Sequence, residues 1–276
     1  MTTFGDLPED QASGRIAEIY GEIRTYGAVP YVSSLQRQLA TVPGCLEWLW
    51  EAARPAFIDG SVPEAAWGAV RGLDLPTLTP VPRPALRAMG VEDGGEAVLQ
   101  GIYETFLRAS PVNMVTASLM GHLLAADAAG EGAAAAGTPS WQPPAPPPPL
   151  PGFPSDAELG EEGVALLNLF TVDMGGSTFV PGLYRLLAHW PGYLAHVAVD
   201  ILPLFRRPDI LTTCHDIVQK IDAVVPPLSS GLTAPPKPFD AATADALRGS
   251  LGVYRGTTSP QMIVFSTLLQ NALPGG

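Results

Sequence analysis

Apolar residues return every three or four positions through most of this 276-residue chain, the spacing that places them on one face of a helix. Over 15–26, Ile16, Ile19, Tyr20 and Ile23 share a face, with Glu18, Glu22 and Arg24 opposite. Helices are predicted next over 31–41, with Leu35 and Leu39 inward, and over 45–56, carrying Leu46, Trp48, Leu49 and Trp50. More follow over 63–73, 83–90 and 94–109. The segment 111–126 is apolar round much of its circumference and is expected to be buried. Ser110-Pro111 reads as its start, since Ser caps a helix and Pro suits a first turn. Later helices are predicted over 158–173, from 183 to the turn at Pro191-Gly192, and over 192–205, 210–224, 241–253 and 260–273. The stretches 76–83 and 226–238 are proline-rich connectors, and Gly175-Gly176-Ser177 is a turn. No strand-like alternation appears, so the class is all-α.

Two of these segments echo each other. Residues 35–46 read LQRQLATVPGCL and residues 183–194 read LYRLLAHWPGYL; seven of the twelve positions agree, at an offset of 148. Ser110-Pro111 and Ser259-Pro260 repeat at nearly the same offset. An internal repeat this long points to a duplicated half-domain rather than a solenoid. The expected organisation is an N-terminal helical repeat over 1–129, a Pro/Ala/Gly-rich linker over 130–157 and a C-terminal repeat over 158–276. An approximate two-fold axis is expected to relate the halves, with a pocket between them. The linker contains GEGAAAAGTPSWQPPAPPPPLPGFP, a composition that favours extended polyproline II. Such a stretch also fits another protein's aromatic groove; joining the halves is the preferred reading.

Composition narrows the function. Fifteen basic residues stand against 27 acidic ones, for a net charge of −12, which argues against a nucleic-acid partner. Cys45 and Cys214 are the only cysteines and have no metal or disulfide spacing, which fits a reducing cytosol. The first residues lack the basic start and apolar core of a signal peptide, and no apolar run approaches a membrane span. The expected location is cytoplasmic.

The pattern VPYVSSLQRQLATVPG, the later HWPGYL and the position of Ser110-Pro111 resemble the group I 2-haloacid dehalogenases, which are all-helical, cofactor-free enzymes acting on both D- and L-2-haloacids. The resemblance implies two similar helical halves, an active site between them, a homodimer and no cofactor. It also implies hydrolysis of a small 2-substituted carboxylic acid, in which an aspartate activates water to displace halide in one inverting step and an asparagine helps hold that water. Carried onto this chain, the aspartate's position falls on Leu183 and the asparagine's on Ser110, and the aromatic wall has a counterpart in Tyr31. Leucine accepts no proton, so Leu183 is no general base.

The remaining candidates come from the residues themselves. Asp173, before Met174-Gly175-Gly176, is a substitute base or a turn residue bonding its own backbone. His189, beside Trp190 and Pro191, is a substitute base or a turn histidine. His196 and Asp200, four apart on one helix, are an oriented acid/base pair or an ordinary helical pair. His122 is expected to be buried and satisfied by a carbonyl. Arg37 and Arg185 occupy equivalent places and suit either a carboxylate ligand or a shared structural role. Asn113 offers a hydrogen bond one turn after Ser110. Tyr31, Ser110, Asn113, Leu183 and Tyr184 are the expected substrate-binding residues. No metal-ligand spacing is present. The alternative to an enzyme is a non-catalytic small-ligand-binding protein or scaffold on the same fold.

Overall fold

The computed structural model describes residues 5–125, 141–173 and 178–275. Positions 130–140 of the expected linker and the 175–177 turn lie outside that set. The first half of the chain forms α1 (Gly14–Gly27), α2 (Ser34–Leu39), α3 (Cys45–Ile58), α4 (Ser61–Ala69), α5 (Arg83–Ala88) and α6 (Gly95–Ala125). The second forms α7 (Asp156–Asn168), α8 (Gly182–Leu187), α9 (Pro191–Ile201), α10 (Pro208–Ser229), α11 (Ala241–Gly256) and α12 (Thr258–Ala272). Both echo stretches fold alike, as a six-residue helix (α2, α8), a tight turn and a longer helix (α3, α9). Among the described residues the fold is all-α apart from two antiparallel two-residue strands, β1 (Val172–Asp173) and β2 (Thr178–Phe179), which are too short to show a periodicity in the sequence. No helix among the described residues is long and apolar enough to cross a membrane.

The centre of the molecule is α6. Every residue from Ala109 to Met120 is buried, and helices from both halves pack on it: α1 and α4 from the first, α8, α10, α11 and α12 from the second. The buried apolar side chains before and after the linker accordingly form one continuous cluster. This burial corrects one expectation. Ser110-Pro111 does not open a helix; Pro111 sits inside α6. An internal proline removes one ladder hydrogen bond and costs about 3 kcal/mol, and packing on all sides of a long apolar helix outweighs that. In the second half the chain does break here. α11 ends at Gly256, Thr257 adopts a non-helical backbone, and Pro260 falls in the first turn of α12, where no N–H is needed. Two smaller corrections concern Pro226 and Pro227, which lie within α10 instead of a connector, and His122, which is exposed near the end of α6.

The described part of the linker is a strap laid along the helices. The indole N–H of Trp141 donates to Glu64 on α4 (3.4 Å) and Arg108 of α6 donates to the Ala145 carbonyl (2.5 Å). Pro147 is buried. At the far end the Arg185 guanidinium lies 4.0 Å from the Phe153 ring centre, and His189 Nε2 is 2.7 Å from the Gly152 carbonyl. Trp141 is seated directly on Gly60, where a Cβ would come within 2.5 Å of the indole at a backbone φ of +83°. Elsewhere α1 is locked to α3 through Glu22, which accepts from Trp50 Nε1 (2.6 Å) and from Arg54 Nη2 (2.6 Å).

Two predictions follow from these contacts. Gly60→Ala is expected to lower stability by about 1–3 kcal/mol, and by less in a Trp141→Ala background, where the opposing ring is gone; denaturant melts of the four variants measure the difference. For Glu22, the hydrogen bonds from Arg54 hold the carboxyl below its unfolded value of 4.5. That stabilisation is therefore full above pH 4.5 and is lost as pH falls through the lowered folded value. Glu22→Gln should melt below the parent at pH 7, and the gap should close in acid.

Candidate functional site

The recess that stands out among the described residues lies beside the middle of α6. Its walls come from the end of α1, the loop 28–33, α2, Phe57 of α3 and the Ala109–Asn113 turn of α6. Ile23, Val29, Phe57 and Val112 make it apolar on the outside; Tyr31, Ser33, Gln36 and Asn113 give it polar groups. Free space at its centre amounts to about one water molecule. The loop reaches it because Ala28, the C-cap of α1, takes a left-handed conformation (φ 51°) and turns the chain back. Such a conformation strains any residue with a Cβ. The prediction of a helix from residue 31 overshoots for this reason: Tyr31 and Val32 are still loop, and α2 starts behind Ser33.

The polar groups form a directed chain. The Ser33 hydroxyl donates to Gln36 Oε1, and Gln36 Nε2 donates to Asn113 Oδ1 (2.8 Å). This bond fixes the Asn113 amide so that its NH₂ group points onward. The next group is Tyr254, near the end of α11, whose phenol lies within hydrogen-bonding reach of Ser33, Ser259 and Asn113. Ser259, at the start of α12, donates from its hydroxyl to the Tyr254 carbonyl (2.8 Å) across the α11–α12 break. Burial pushes both phenols above the ordinary range; the neighbouring Tyr254 adds to the effect at Tyr31, while hydrogen bonding with Ser33, Ser259 and Asn113 offsets part of it at Tyr254. Both therefore keep their protons at neutral pH. Among the described residues the lining holds no carboxylate and no imidazole.

Of the residues singled out in the sequence, Tyr31 and Asn113 meet in this recess. Ser110 is buried one turn earlier on α6, outside the lining. Leu183 is fully buried in the core, and Tyr184 is stacked on Phe170 with ring centres 4.1 Å apart. Its hydroxyl is buried without a hydrogen-bond partner among the described residues. Asp173 is exposed at the end of β1, opposite Thr178. His189 is exposed and bonded to the strap. Neither side chain lines the recess. His196 and Asp200 approach to 3.5 Å as a helical i,i+4 pair, next to Tyr193, whose hydroxyl is bonded to that of Tyr103 (2.8 Å). Arg37 pairs with Asp6 (2.9 Å) and Arg185 with Phe153, so the equivalent arginines hold different partners. Among the described residues no three His, Cys, Asp or Glu side chains converge as a metal site requires.

Sequence reasoning missed Ser33, Gln36 and Tyr254. Gln36 carries a signal in retrospect. It sits between Leu35 and Leu39 on the inward face of α2 and is buried with them, and a buried amide needs polar partners. The pair it forms with Asn113 is testable. Gln36→Leu or Asn113→Leu alone leaves the other amide unsatisfied and should cost about 1–3 kcal/mol. The double variant should lose clearly less than the two singles together, as read from urea denaturation.

No protein-family profile matches this sequence, and no curated protein is significantly similar to it. Solved structures do match. A D-2-haloacid dehalogenase in complex with L-LA superposes with a TM-score of 0.72 over 98% of this chain and 97% of its own, at 16% identity. A mutant D-2-haloacid dehalogenase with D-2-CPA gives 0.70 over 98% and 96%, and another mutant gives 0.73 over the same shares, both at 16% identity. Superposing on these structures over nearly its whole length, the chain has the fold of the D-2-haloacid dehalogenases.

Proposed function

We propose that this chain uses the dehalogenase fold to bind a small organic molecule in the recess beside α6, and that it does not hydrolyse 2-haloacids through an activated water. One observation carries the reading: the recess is furnished with hydroxyls and amides and has no group able to take a proton from water near neutral pH. The place where the family resemblance expects the water-activating aspartate holds Leu183, packed in the core. The substitutes Asp173 and His189 stand at the surface, outside the recess, so a hydrolase built on either would have to bring it inward. The recess has apolar walls and a few convergent polar groups, the chemistry of a small-molecule pocket, and with open space for about one water its walls must part to admit a ligand. The matched dehalogenases are named with L-LA and D-2-CPA, which supports a ligand of similar small size.

Halide release from D- and L-2-chloropropionate tests this directly. The expected rate equals that of buffer alone. Release above background that disappears in Asp173→Asn or His189→Gln would establish the hydrolase instead.

A further inference from the structure

Proline chemistry makes the strap a rod with three edges. Pro146 to Pro149 stand in an unbroken row. Each fixes its backbone φ and lacks an N–H, and such a run winds as polyproline II, in which every third residue shares an edge. The burial of the strap follows that period. Pro147 is buried and Leu150 half-buried, so the edge they share rests on the protein's own helices. The other two edges lie outside. Ala145 and Pro148 are on one, Pro146 and Pro149 on the other, and all of these are exposed. Together they form two successive X-Pro steps, Ala145-Pro146 and Pro148-Pro149, with the residue between them facing inward. The rod is held against rolling. Trp141 is seated on Gly60, Arg108 donates to the Ala145 carbonyl, and at the other end His189 and Arg185 hold Gly152 and Phe153.

We infer that this ridge is a docking surface for a protein domain with an aromatic-lined groove of the WW type, which reads it while the strap stays seated on its own helices. Such grooves take Pro-rich PxxP segments in the polyproline II form. Pro146 and Pro149 have that spacing, and both are exposed. Folding has already ordered the segment, so a partner does not have to supply that ordering entropy. Charge narrows the kind of groove. No Lys or Arg occurs between Arg108 and Arg185, and those two are engaged with the strap itself. A groove that adds an acidic pocket for a cation beside the prolines therefore finds no match; one that grips the X-Pro steps between aromatic rings does. Phe153, also exposed, extends the apolar surface past Gly152. The ridge shares no residue with the lining of the recess, so this assignment stands apart from the small-molecule reading above.

The full chain is titrated at pH 7 into an isotope-labelled WW domain that binds uncharged proline-rich segments, reading the indole resonance of the tryptophan in its groove. The expected result is a saturable shift. Pro146→Ala and Pro149→Ala should each weaken it about tenfold with the melting temperature of the chain unchanged. Gln142→Ala, exposed on the same strap outside the two steps, should bind like the parent. Pro147→Ala should do the reverse of the outward variants, lowering the melting temperature and leaving the affinity in place. With the chain labelled instead, the Gly152 amide should keep its resonance on binding, because the strap is not lifted. No saturable shift with the parent chain overturns the assignment, and so does binding that Pro146→Ala and Pro149→Ala leave intact. Displacement of the Gly152 resonance shows a released strap and overturns recognition in place. Self-association of the chain alone that Pro149→Ala abolishes gives the ridge to a second copy and overturns the WW-type partner.

Discussion

A helix with no polar face has to be covered on every side. That requirement organises this molecule around α6. From Ala109 to Met120 every residue of it is buried, and one neighbouring helix cannot enclose a cylinder about 10–12 Å across. Helices from both ends of the chain are drawn onto it, and the buried apolar groups of the two halves merge into a single cluster. The same packing lets Pro111 remain inside a continuous helix. It also explains the behaviour of the buried hydroxyls Thr105 and Thr116, which turn back to carbonyls of their own helix at Gly101 (2.7 Å) and Val112 (2.8 Å); no water is at hand to satisfy them.

The recess is a consequence of the same constraint. Asn113 stands in the middle of this dry run, and a buried amide left unpaired costs about 1–3 kcal/mol. Its partners must therefore come from whatever packs on α6 at that height. Gln36 arrives from α2 and Tyr254 from α11, one from each half of the chain. Tyr254 lies in the last turn of α11; just beyond it Thr257 departs from helical geometry, and Ser259 donates to the Tyr254 carbonyl. The network that satisfies this part of the core thus joins residues from both ends of the chain beside the recess.

The strap over 141–154 adds a second kind of connection. It needs no internal hydrogen bonds, so it can run extended over α4, α6 and α8 and spend its side chains and carbonyls on them. Its docking also accounts for His189. The sequence allows that residue either acid/base work or a turn; folded, it closes the end of the strap against Gly152. Arg185 has a comparable fate on Phe153, which is why its echo partner Arg37, with no strap beside it, pairs with Asp6 instead.

Helical class, the positions of most helices, the burial of the segment after Ser110 and the likeness of the two echo stretches were legible from the chain alone, because the apolar period is a local property that packing on one face must respect. The site was legible only in part. Tyr31 and Asn113 could be named from the resemblance and from their place beside a proline, whereas Ser33, Gln36 and Tyr254 could not, since nothing local says that residues 33, 113 and 254 meet. Continuity through Pro111, the break at Thr257 and the exposure of Asp173 and His189 were likewise decided by tertiary structure: each depends on whether another part of the chain arrives to cover, satisfy or replace the local preference. The period of apolar residues determines which side of a helix is buried; what it is buried against is a long-range fact that no local pattern contains.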